Sequence, residues 1–60
     1  MSPAEAALER VYRALLDAGQ RANRTKRPEL RDIWYAAAAM VAKEALSVGY
    51  QVSEEAKHGG

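Results

Sequence analysis

The hydrophobic and polar positions of this chain fall into two helical patterns of different character, joined by a short basic link. In the first, Ala4, Leu8, Val11, Leu15, Ala18 and Ala22 recur in steps of four and three, and Tyr12, Leu16 and Gly19 widen the stripe. At about 100° per residue these positions share one face, the signature of an amphipathic helix packed on a single neighbour. The opposite side carries Glu9, Arg13, Asp17 and Arg21 in successive i,i+4 steps of alternating sign, each pair adding ~0.3 kcal/mol, and reads as a solvated face. Ser2-Pro3-Ala4-Glu5 supplies the start signal: serine at the N-cap, proline at the first helical position and glutamate placed to complete a capping box. These features predict helix 1 over about residues 3–22.

The second pattern is apolar on more than one side. The stretch Ile33 to Tyr50 reads IWYAAAAMVAKEALSVGY. With Leu30 as the zero of the helical wheel, Ile33, Trp34, Ala37, Val41, Ala45, Val48 and Val52 gather on one face. Tyr35, Ala39, Ala42, Leu46 and Tyr50 gather by the same rule on roughly the opposite one. A helix that is apolar nearly all round is buried on two sides, so this helix expects two neighbours. The alanines Ala36 to Ala39 permit close approach while keeping high helix propensity. The seam holding Leu30, Trp34, Ala37, Val41 and Val48 begins beside the turn and carries the bulkiest residue, which assigns it to helix 1 and makes Trp34 a hairpin core residue. The remaining seam, Tyr35-Ala39-Ala42-Leu46-Tyr50, is the predicted partner interface, since tyrosine offers a large apolar ring with a hydroxyl that stays wet.

Boundaries follow from local chemistry. Asn23 tolerates a left-handed conformation and reads as the stop of helix 1. The link spans 23–27, and Pro28 suits the first position of helix 2, with Glu29 and Asp32 favouring its positive end. Gly49 offers a stop, after which Ser53 would cap a last turn through Glu54 and Lys57. However, Tyr50 and Val52 stay in phase, which favours a helix over about 28–56, bent or broken at Gly49, with a tail at 58–60. A short link makes antiparallel neighbours. The predicted fold is therefore an all-α antiparallel helical hairpin in a single domain, dimerising into a four-helix bundle.

Length sharpens that expectation. Sixty residues bury only about 60% of their unfolded surface. Chains this small rely on disulfides, metals or association. There is no cysteine, and the one histidine, His58, sits in the glycine-ended tail. Association is what remains. The N-terminus MSPAEAALER lacks a basic region followed by an apolar core, so no secretory signal is expected. The longest uninterrupted apolar run, Ile33 to Ala42, is half of the ~20 residues a bilayer crossing requires. The expected setting is cytoplasmic, away from membrane.

Candidate chemistry is sparse. No histidine lies in the body to activate Ser2, Ser47 or Ser53, and no Gly-rich phosphate loop or metal-ligand spacing is present. The reading is a protein that is not an enzyme and uses no cofactor, metal or small-molecule substrate. Net charge of +1 argues against wholesale coating of nucleic acid. The exception is local: Arg21, Arg24, Lys26, Arg27 and Arg31 crowd the turn, with Glu29 the only acid among them, a cluster suited to phosphate or an acidic partner. Helix 2 is too apolar to read bases in a groove. The sequence thus points to a small interaction or regulatory protein of bacterial or phage type, either a homodimer or a module docking another protein. The alternative is a nucleic-acid-binding dimer using the basic turn.

Overall fold

The computed structural model describes residues 2–52, which form two helices, α1 (Pro3–Arg24) and α2 (Pro28–Ser47), packed as an antiparallel hairpin with no strand among the described residues. The start of α1 is fixed by its side chains: the Glu5 amide donates to Ser2 Oγ at 3.2 Å while the Ser2 amide donates to Glu5 Oε1 at 3.0 Å. This reciprocal pair satisfies two otherwise orphaned amides, as the capping-box sequence predicts.

Both helices end in the same device, the first of them at a residue other than the one expected. Asn23 stays helical and its Oδ1 accepts from Arg31 Nη1 at 3.0 Å, one of the ties between the two helix ends. Lys26 takes the left-handed conformation instead, at φ 60°. The Arg27 amide then reaches back to the Ala22 carbonyl at 2.9 Å, and Lys26 donates to Asn23 at 3.1 Å. This is the Schellman closure, here completed without glycine at a cost of about 1 kcal/mol.

Of the helix expected over about 28–56, bent or broken at Gly49, the break is what forms, and residues 53–56 lie outside the described residues. α2 stops at Ser47 because Gly49, at φ 90°, is the left-handed residue of a second Schellman turn. Tyr50 donates to the Ala45 carbonyl at 2.9 Å and Gly49 to that of Leu46 at 3.0 Å. The reversal, rather than continued helical phase, returns Tyr50 and Val52 to the core. The expected cap at Ser53, the turn through Lys57 and the tail lie outside the described residues.

The core follows the predicted seam at Ala45 and Val52 and departs from it elsewhere. Its buried members are Tyr12, Ala38, Ala45 and Val52, with Leu8, Leu15, Leu16, Val41, Ala42 and Tyr50 packed around them. Large side chains come from α1 and small ones from α2, so the helices interlock bulk against alanine. The contact stripe therefore runs between the two seams read from the wheel and centres on Ala38, which belongs to neither. Ala37 and Val41 of the seam assigned to helix 1 are half-buried. Leu30, Ile33, Trp34 and Val48 stay exposed, Val48 at 77%. Trp34 is thus a flanking residue and not the centre of the hairpin.

Candidate interaction surface

The stripe divides the hairpin into two long flanks. One contains the predicted interface residues. Its closest contact lies at Gly19, where an added Cβ would land against the Tyr35 ring, 2.6 Å from Cδ1. Glycine there makes room for the aromatic face, which covers the α1 backbone. Farther along, the Tyr50 hydroxyl donates to Glu9 Oε1 at 2.6 Å, a contact spanning nearly the whole described chain. Glu9 is itself buried, with Oε2 3.6 Å from Arg13 Nε. This corrects its placement on the solvated face of helix 1.

The hydrogen bond to Glu9, followed by partial burial and the nearby negative charges of Glu9 and Glu5, pushes the Tyr50 hydroxyl up to about 12, while Arg13 pulls the other way. Of the predicted interface, then, Tyr35 and Tyr50 each touch α1 of their own chain. Ala42 is half-buried, and Ala39 and Leu46 remain exposed, Leu46 by 59%.

The other flank has no such cover. Leu30, Ile33 and Met40 of α2 and Val48 just past its end stand exposed, as does Val11 of α1. Between the helices a shallow concavity of about 380 Å³ is lined by Leu8, Ala37, Met40, Val41 and Glu44. Ile33 is 62% exposed and Met40 66%. Single exposed aliphatics are ordinary, and of these residues Met40 also lines the groove. Met40 belongs to neither predicted seam, although its position on the wheel beside Ile33 is the signal that would have found it. Glu9 had no such signal, since its partner lies at the far end of the chain.

At the hairpin tip the five predicted cations differ in their partners. Arg21 pairs with Asp17 at 2.7 Å, and Arg31 binds Asp32 at 3.0 Å as well as Asn23. Arg24, Lys26 and Arg27 make no ion pair among the described residues. Lys26 and Arg27 border a hollow of about 250 Å³ with Pro28, Glu29 and Leu30. The Arg27 cap leaves the first amides of α2 without a side-chain acceptor.

Among the described residues no group of acidic or histidine side chains is placed to hold a metal ion, and no helix is long and apolar enough to cross a membrane. No protein-family profile, no curated protein and no solved structure matches this chain.

Proposed function

We propose that this chain is a small non-enzymatic interaction module, regulatory in character, that acts through the exposed apolar surface of α2. One observation carries the reading: Leu30, Ile33, Met40 and Val48 remain in contact with water beside a groove after the hairpin has closed. Burying such side chains is worth about 25 cal/mol per Å², an incentive for association that the fold itself leaves unused. The seam Tyr35-Ala39-Ala42-Leu46-Tyr50 contributes less, because its tyrosines are engaged at home. A cytoplasmic setting in a bacterium or phage belongs to the same reading; it rests on the absence of cysteine and on an alanine- and arginine-rich, phenylalanine-free composition.

The alternative is nucleic-acid binding at the hairpin tip, favoured by Arg24, Lys26 and Arg27, which have no acidic partner among the described residues. One pair of measurements separates the two. Hydrogen exchange of the associated protein should show protection at Ile33 to Met40 and none at the tip. Titration with RNA or DNA should show no binding that steepens at low salt. Steeply salt-dependent binding, lost when Arg24, Lys26 and Arg27 are all changed to glutamine, decides for the alternative.

A further inference from the structure

We infer that residues 48–52 are a strap that opens and closes on the hairpin as a unit of its own, hinged at Gly49 and latched by Tyr50 on Glu9. Closed, it seals the end of the helix pair away from the tip. Which partner meets the α2 surface has no bearing on it.

The strap is set apart by where its ties fall. The amides of Val48 and Gly49 donate to the carbonyls of Ala45 and Leu46 at 3.1 and 3.0 Å, and the Tyr50 amide donates to Ala45 at 2.9 Å. All the acceptors lie in the last turn of α2, and among the described residues the strap has no backbone tie to α1. Its hold on α1 is made by side chains. The Tyr50 hydroxyl donates to Glu9 Oε1 at 2.6 Å, and Val52 joins the buried cluster that contains Tyr12. Gln51 between them is exposed, the alternation of an extended segment that lays every second side chain inward.

The hinge is equally local. Gly49 holds φ 90°, and a Cβ added there would meet nothing within 4 Å. The turn therefore pivots without displacing a neighbour, whereas α1 and α2 pack on each other along their length. A segment held by few buried contacts opens ahead of the whole, and on opening it regains the backbone freedom it had lost. Opening releases the buried Glu9 carboxylate and uncovers the cluster that Val52 plugs. Leu8 packs on that cluster and also lines the groove, so the strap sets how far the apolar groove extends.

The test uses the whole chain carrying Val52→Cys, whose thiol is the only one present. Labelling of that buried thiol by a maleimide reads the open population. It should run well below the rate of the urea-unfolded chain. Adding Tyr50→Phe should speed it about tenfold, the worth of a hydrogen bond to a charged group. Adding Gly49→Ala should speed it about fivefold, because alanine resists the left-handed conformation that only the closed strap requires.

The decisive comparison is a change that loosens the hairpin without touching the strap. Ala22→Gly, near the tip, should speed amide exchange at Ala38 about fivefold by lowering the stability of the whole hairpin. Labelling at residue 52 should not change. Urea below the unfolding transition supplies the same contrast without a substitution at Ala22: exchange at Ala38 rises and labelling stays level. If labelling rises in step with Ala38 exchange, the strap opens only when the hairpin unfolds, and the inference fails. It fails equally if the thiol reacts at the rate of the unfolded chain, or if neither Tyr50→Phe nor Gly49→Ala speeds the reaction.

Discussion

The two flanks of this hairpin are made by the same pair of helices from a similar supply of apolar residues, yet one is closed from within and the other left open. On the closed flank the two tyrosines are engaged by α1, Tyr50 by donating to Glu9 and Tyr35 by lying over Gly19, although Leu46 beside them stays exposed. On the open flank Ile33, Met40 and Val48 have neither a hydrogen-bonding tip nor a receiving glycine, and they stay in water. The difference shows that spare surface is not set by how apolar a helix face is. It is set by whether the facing helix supplies an acceptor or a gap at the right level.

Breaking what the flanks share should have the largest effect. Tyr12 is buried at the centre of the contact stripe, between both flanks. Tyr12→Ala should cost about 3–5 kcal/mol, the range for truncating a buried aromatic. At ~0.05–0.15 kcal/mol per residue, the total stability of a chain this short is ~3–9 kcal/mol. Loss of most helical circular dichroism at room temperature is therefore the expected outcome. A variant that unfolds cooperatively at nearly the wild-type urea concentration would show that the stripe is not the core.

Next in size is the asymmetry itself. Tyr50→Phe keeps the ring and removes a donor from a buried carboxylate, and should lower stability measurably. Ile33→Ala on the open flank, measured where the chain is single, should stay within about 0.5 kcal/mol. Equal costs for the two would erase the distinction between the flanks.

The same hydroxyl makes a pH-dependent prediction. Tyr50 holds its proton more tightly in the folded chain, at about 12 against an ordinary 10.0. The unfolded chain therefore releases its proton first as pH rises. The contribution of this group is fully present below pH 10 and is lost as pH climbs towards 12. Wild type should lose stability across that window by more than Tyr50→Phe does, and by ultraviolet absorbance Tyr50 should be the last tyrosine to ionise.

How far the sequence foretold this is itself uneven, for a physical reason. Signals completed within a turn of helix were legible: Ser2 with Glu5, Pro28 at the start of α2, and the antiparallel pairing that a short link imposes. Signals needing a distant partner were not. Periodicity located two apolar seams on α2 but could not show that α1 would press between them, on Ala38, because that depends on which bulky side chains α1 presents. The burial of Glu9 depends on Tyr50, and Tyr50 arrives only because Gly49 reverses the chain. Lys26 took the left-handed position from Asn23 because the turn closes three residues later than asparagine's preference suggested.

The smallest effect sharpens the comparison most, because two principles pull it in opposite directions. Gly19 sits inside α1, where replacing glycine with alanine ordinarily gains about 1 kcal/mol of helix stability. Here the new methyl would fall within the Tyr35 ring, closer than such atoms approach. Overpacking of this kind costs about 1–3 kcal/mol, and the half-exposed ring has room to swing outward, which puts the cost at the low end. Gly19→Ala should therefore show no gain and a net loss of about 1 kcal/mol or less, accompanied by freer motion of Tyr35 in its ring resonances. Adding Tyr35→Ala removes the obstacle, so in that background Gly19→Ala should recover its gain and stabilise the helix. If Gly19→Ala stabilises the wild-type chain by the full helix increment, Tyr35 does not close this flank, and both flanks of the hairpin are open.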